Sequence, residues 1–179
     1  MTTYVALVRG INVGGHTKVG MDDLRRLFVA LGHANVKSYI QSGNVIFRSP
    51  VDEPARLAGD IEKRIAQDLG VTATVLLRTA DDLAQIVANN PFAGREIDPA
   101  RLHVTFLANA PDRERVARLD RPAGEPDELS LVGKEIYLYC PNGYGRTKLN
   151  NTYFERRLGV AATTRNWRVV TKLCELMGG

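Results

Sequence analysis

A chain of 179 residues has room for one domain or two small ones. Hydrophobic residues make up 44% of it, enough to build a core and too many for a disordered chain of low hydrophobicity and high net charge. The formal charge is +4 and the pI about 9.2, a balance that leans toward anionic partners without selecting one.

Residues 4–9 are short and rich in β-formers, and read as a first strand. Arg9-Gly10-Ile11-Asn12-Val13-Gly14-Gly15 follows. Glycine costs a helix or strand interior up to about 1 kcal/mol relative to alanine. This density of it suits a backbone that turns sharply or approaches a ligand closely. The loop runs to Gly20. Asp22 and Asp23 lie where a helix start favours acids. Met21, Leu24, Leu27, Phe28 and Leu31 then recur at helical spacing, and Gly32 fits the position just past a helix end. Residues 36–40 and 45–48 are expected to pair as strands two and three around the turn Gln41-Ser42-Gly43-Asn44. Pro54 opens a helix with Leu57, Ile61, Ile65 and Leu69 on one face and Gly70 as its stop. Residues 71–78 read as strand four.

Thr79-Ala80-Asp81-Asp82 resembles a capping box with Asp in place of Glu or Gln. A short helix continues from it to Asn89-Asn90-Pro91. Residues 101–108 read as a strand, 111–119 as a short helix and 121–127 as an exposed loop. Residues 128–132 and 135–140 flank Gly133-Lys134, a hairpin signal. A second glycine loop covers 141–146, a helix 148–158 stops at Gly159, and 160–164 form a last strand. Trp167, Val170, Cys174 and Met177 share one face of a terminal helix.

Each half therefore reads β-α-β-β-α-β, the split-βαβ plan. The expected class is α+β: two ferredoxin-like lobes, a duplication visible in element order, with an extra C-terminal helix. The N-terminal lobe is expected over 1–78, a bridging helix and linker over 79–100, and the C-terminal lobe with the terminal helix over 101–179.

Two cysteines, Cys140 and Cys174, do not make a disulfide scaffold. Residues 1–10 lack a signal-peptide core, and no stretch approaches the roughly 20 apolar residues of a membrane helix. A reduced cytoplasmic protein without a membrane partner is expected. Nothing in the pattern assigns an oligomeric state.

Four stretches taken in order, residues 9–15, 39–47 (Tyr-Ile-Gln-Ser-Gly-Asn-Val-Ile-Phe), 141–150 (Pro-Asn-Gly-Tyr-Gly-Arg-Thr-Lys-Leu-Asn) and 163–167 (Thr-Thr-Arg-Asn-Trp), resemble the bacterial family catalogued as domain of unknown function 1697. The resemblance implies a two-lobed α+β fold and no established activity. Thr17 departs from the Asn often found there, and Gly20 from a frequent Lys.

In the split-βαβ plan the loop 10–20 and the turn 41–44 fall at one sheet edge and should meet. The loop 140–147 and residues 163–166 should share an edge of the second sheet. These two edges are expected to face one another across a cleft, a favoured ligand position. The chemistry there is cationic and amide-rich: Arg9, Asn12, Gly14, Gly15, Lys18, Gln41, Ser42, Asn44, Tyr144, Arg146, Lys148, Asn150, Arg165 and Asn166. Arginine forks suit phosphate or carboxylate, and glycine loops leading into helices offer unpaired N–H groups. The structural alternative is that the glycines serve turns and the asparagines cap backbone. Neither Walker A nor Gly-x-Gly-x-x-Gly is present, and no cofactor is expected.

His16, His33 and His103 lack metal-ligand spacing, and no metal is expected. His16 is the one histidine in a motif loop and a candidate proton carrier; His33 is expected at an exposed helix end. Cys140 has no visible activating base, and Glu155 is the best carboxylate near the motif edge, with a surface salt bridge as its structural alternative. Three functions stay open: binding or processing of a small phosphorylated or carboxylated metabolite, an electrostatic nucleic-acid module, or an interaction subunit without catalysis. The first is preferred. An RNA-recognition platform needs exposed aromatics on the central strands, and only Tyr4 and Phe47 offer them.

Overall fold

In the computed structural model, residues 1–12, 17–120, 124 and 126–178 are described. The first sheet is built from β1 (Thr2–Arg9), β2 (Ala34–Tyr39), β3 (Asn44–Ser49) and β4 (Thr74–Thr79), in the order β2-β3-β1-β4 with every pair antiparallel. Helices α1 (Met21–Ala30) and α2 (Pro54–Leu69) cover one face. The pleat sends alternate residues to that face, and Tyr4, Ala6, Val8, Val45, Phe47, Val75 and Leu77 pack there on Leu24, Phe28, Leu57, Ile61 and Ile65. Residues of the other face, Val5, Leu7, Ile46, Leu76 and Arg78, are buried as well. α2 stops where expected: Gly70 takes φ +65° and its N–H reaches the Ala66 carbonyl at 3.1 Å.

The second sheet repeats the plan. β5 (Leu102–Leu107), β6 (Glu128–Val132), β7 (Glu135–Tyr139) and β8 (Ala162–Asn166) lie in the order β6-β7-β5-β8, again antiparallel throughout. The connecting helices are α3 (Ala80–Ala88), α4 (Arg113–Ala117), α5 (Asn151–Leu158) and the terminal α6 (Trp167–Leu176). Leu107, Ile136, Leu138, Cys140, Leu149, Phe154, Leu158 and Ala162 form this lobe's core. The chain divides into one unit of Met1–Ala84 with Leu173–Gly179 and a second of Gln85–Lys172. The result is an α+β protein of two similar lobes with a C-terminal helix, the architecture expected of duplicated ferredoxin-like halves.

The duplication extends to single residues, which the sequence alone does not reveal. Val5 on β1 lies opposite Ile46 and Arg78, and Val104 on β5 lies opposite Tyr137 and Arg165. Arg78 and Arg165 are thus register equivalents. Both are buried, at 2% and 7% exposure, and each donates from Nη1 to the carbonyl of the preceding residue, at 2.9 and 3.0 Å. The next residue caps the following helix in both lobes. Thr79 and Asp82 exchange hydrogen bonds as a capping box, and Asn166 Oδ1 accepts from the Val169 N–H.

Several element starts differ from expectation by one to three residues. β4 begins at Thr74 rather than 71, α5 at Asn151 rather than 148, and β8 at Ala162 rather than 160. Asn150 caps α5 by accepting the Tyr153 N–H at 2.9 Å, so the helix cannot start before it. Among the described residues, no helix is long and apolar enough to cross a membrane.

Candidate functional site

At the first sheet edge, β1 ends beside the start of β3 and the motif loops meet as expected. The Val8 N–H donates to the Gly43 carbonyl at 2.8 Å. Asn12 joins the two loops: its Nδ2 donates to the carbonyls of Val19 (3.1 Å) and Gln41 (2.9 Å), and its Oδ1 accepts from the Val19 N–H (2.8 Å). Its own N–H bonds the Thr17 carbonyl at 3.0 Å, closing the loop at its neck. Asn12 and Thr17 both sit at φ +54°, a conformation that costs non-glycine residues about 1–3 kcal/mol and persists only where the surroundings impose it. Gly14, Gly15 and His16, with Val13, lie outside the described residues.

Asn44 is fully buried and spent on the turn, donating to the Tyr39 carbonyl (3.0 Å) and to Ser42 Oγ (2.9 Å). Arg9 is half-buried at the end of β1. Lys18 and Gln41 remain exposed. With Asn12, Val19 and Gly20 they line an open pocket of about 490 Å³. Asp22 and Asp23 occupy the first turn of α1, so the negative charge that a helix start favours is already supplied by the chain.

At the second edge, the Cys140 N–H donates to the Arg101 carbonyl at 2.9 Å, which starts loop 140–147 beside the first residue of β5. Tyr144 stacks on His103, with ring centroids 4.8 Å apart and planes 23° apart. Thr147 anchors the loop's far side: its hydroxyl donates to buried Asp127 and accepts from the Leu149 N–H. Asn166 pairs with His103 across the sheet, so the end of β8 does arrive at this edge. Arg146 and Lys148 are exposed. Arg165 is buried, bonding Thr163 Oγ1 at 2.7 Å, and burial lowers its pKa to about 10, which leaves it charged at neutral pH.

The fourteen-residue set thus divides. Asn12, Asn44, Asn150 and Asn166 are used in wiring and capping, Tyr144 in stacking and Arg165 in backbone contacts. Lys18, Gln41, Arg146 and Lys148 face solvent. Asp127, which holds the second loop through Thr147, lies outside the motifs; a buried acid bonded to a threonine is visible only in three dimensions.

Two expectations are corrected. Glu155 is not at the motif edge, because its Oε2 accepts from the Ala162 N–H at the opposite end of β8. His33 is not an open helix end: its ring packs on Phe47 and Phe28, with centroids 4.7 and 6.2 Å away, and both ring nitrogens are buried without a hydrogen-bond partner. Tyr4 and Phe47 are buried on the helix-covered face and stacked on each other, and so offer no platform for bases. Both cysteines are buried thiols.

The histidines make acid sensitivity testable. Burial lowers the pKa of His33 and of His103 below the ordinary 6.5, partly offset by Asp60 at His33 and by the Arg101 backbone at His103. A base whose folded pKa lies below its unfolded one takes up its proton first in the unfolded chain, so stability present above pH 6.5 drains away as the pH falls below it. The melting temperature should fall between about pH 7 and pH 5.5, where histidines are the side chains that ordinarily titrate. The double variant His33→Leu/His103→Leu should flatten that slope; an unchanged slope would assign it elsewhere.

The fold and its two motif edges define the class: a duplicated α+β protein in which each four-stranded sheet presents paired loops at one edge. The chain belongs to the family described as protein of unknown function DUF1697, whose model matches residues 1–137. A similar solved structure is that of a conserved bacterial protein from Streptococcus pneumoniae, 28% identical, covering 98% of this chain and 98% of that chain with a TM-score of 0.77. None of the curated proteins matches the chain.

Proposed function

We propose that the chain binds a small phosphorylated or carboxylated metabolite at the motif edge of the first unit. The supporting observation is the open pocket of about 490 Å³ in which Lys18 and Gln41 are exposed while Asn12 is held by its three side-chain hydrogen bonds. Lys18 supplies the charge and the Gln41 amide a donor and an acceptor. Asn12 is a positioning residue, keeping both on one rim. A pocket with few, fixed polar groups and a cationic side chain is the usual form of a site for a small anion. The reading is one of binding, and no catalytic step is assigned.

A panel of phosphorylated and carboxylated metabolites, followed by thermal shift, tests it. A ligand that binds only the native state stabilises by about 2.7 kcal/mol at a hundred times its dissociation constant. Lys18→Ala should remove the rise in melting temperature, and Arg56→Ala, an exposed helix residue 4.0 Å from Glu53, should retain it. A panel without a hit, or equal responses from the two variants, would overturn the reading.

A further inference from the structure

The second unit carries a cationic pocket that none of the motifs includes. It lies between α4 and α5, has a volume of about 500 Å³ and is lined by Asp112, Glu114, Arg115, Arg118, Arg156 and Arg157. All six side chains belong to exposed residues. Among the described residues, none of the four arginines is within ion-pair distance of a carboxylate. Asp112 is partly committed, its Oδ1 accepting the Glu114 N–H at 2.9 Å.

Two of the guanidiniums have defined neighbours. Arg157 lies over the Tyr153 ring, 5.1 Å from its centroid, and Tyr153 is itself tied by its hydroxyl to the Asp120 carbonyl. Arg115 lies against Gly159 at the end of α5. A Cβ there would come within 3.0 Å of its Nη1, so the glycine that ends the helix also leaves room for the fork.

The bland account is that arginines gather at the negative C-terminal end of α5. That end carries only about half a unit of negative charge. Four guanidiniums against two carboxylates and that half unit leave an excess of about +1.5 in one concavity. A carboxylate carries one negative charge and leaves part of this excess uncompensated. A phosphate monoester carries about −1.5 to −2 at neutral pH, which matches that excess, and its three acceptor oxygens suit bidentate guanidinium forks.

We propose that the α4–α5 pocket is a second anion site that binds a phosphate monoester dianion, separate from the pocket at Lys18. The phosphate is held by the arginine forks, and the remaining volume takes the esterified group. Because the two pockets lie in different units, the failure of either proposal leaves the other standing.

Amide NMR titration of the full chain at constant ionic strength reads the site directly. Inorganic phosphate and glycerol 3-phosphate should each give saturable shifts centred on residues 112–118 and 156–159, the ester binding at least as tightly as the free ion. Affinity should fall below about pH 6, where phosphate loses its second charge while arginine keeps its own. The double variant Arg118→Gln/Arg156→Gln should weaken binding about tenfold or more, the usual loss for charge-assisted hydrogen bonds. Lys37→Gln/Lys63→Gln, which removes the same charge from exposed positions elsewhere, should change it less than about threefold. Should the first variant lose its amide dispersion, the single change Arg118→Gln carries the comparison. Acetate binding as tightly as phosphate, equal losses in the two double variants, or shifts produced only by nucleic acid would each overturn the proposal.

Discussion

Phe47→Ala should be among the most damaging single substitutions in the first lobe, lowering stability by about 4 kcal/mol, within the range for truncating a buried aromatic. Phe47 is fully buried at the centre of an aromatic cluster. Its ring centroid lies 5.6 Å from Tyr4, 5.1 Å from Phe28 and 4.7 Å from His33. Its removal forfeits the transfer free energy of the ring and leaves a cavity whose walls belong to β1, α1 and the chain just past α1, all fixed by other contacts. Phe47→Leu keeps most of the volume and should cost less than half as much. A second readout separates this cavity from general loosening. Burial is the main cause of the lowered His33 pKa, so opening the space beside its ring should return that pKa toward the ordinary value while His103, in the other lobe, keeps its own. Equal stability losses for Ala and Leu, or an unmoved His33 titration, would contradict this account of the core.

Much of the fold was legible because its punctuation is chemical. Pro54 and Gly70 bracket α2, Gly32 follows α1, and Gly133-Lys134 marks the β6–β7 turn, each through local backbone preferences that act whatever surrounds them. The misplaced starts have other causes. A strand extends only as far as its neighbour does, and the β1–β4 ladder ends at Arg9↔Thr74 because the chain turns away at Gly10, φ +94°. Residues 71–73 are apolar enough for a strand, but past Arg9 they have no ladder to join. Leu149, fully buried, sits at a spacing that mimics the face of α5 although it precedes the cap. In the site, the motifs mark the correct edges but not the division of labour. An asparagine that caps and one that meets a ligand are the same letter; only the partners show that Asn12 and Asn44 tie loops together and that Oδ1 of Asn150 and of Asn166 caps a helix. The α4–α5 arginines escaped notice because Arg115 and Arg157 are far apart in sequence and only the packing of a short helix on α5 brings them together.

Gly43→Ala should cost roughly 3 kcal/mol and also abolish ligand binding at the Lys18 pocket. Gly43 sits at φ +85°, where a side chain alone costs about 1–2 kcal/mol. An added Cβ would stand 3.0 Å from the Val8 carbonyl oxygen, 3.1 Å from Ile11 Cδ1 and 3.2 Å from Val8 Cβ. Neither backbone can yield easily, because the Val8 N–H is bonded to the Gly43 carbonyl at 2.8 Å; overpacking of this kind adds about 1–3 kcal/mol. Gly32→Ala separates the two contributions. Its φ is +91° and a Cβ there meets nothing within 4 Å, so only the conformational part remains and the loss should be near 1–2 kcal/mol. Denaturation midpoints at unchanged slope measure the difference. The functional consequence follows from the hairpin's other bond. Gln41 is placed by the hydrogen bond from Asn12 to its carbonyl, and a hairpin pushed off β1 at Gly43 carries Gln41 away from Lys18. Gly43→Ala should therefore lose the ligand-induced rise in melting temperature at temperatures where it is still folded, and Gly32→Ala should keep it. Equal stability losses in the two variants would show that the close approach of the turn to Val8 contributes nothing. A Gly43→Ala protein that still responds to ligand would detach the hairpin from the pocket.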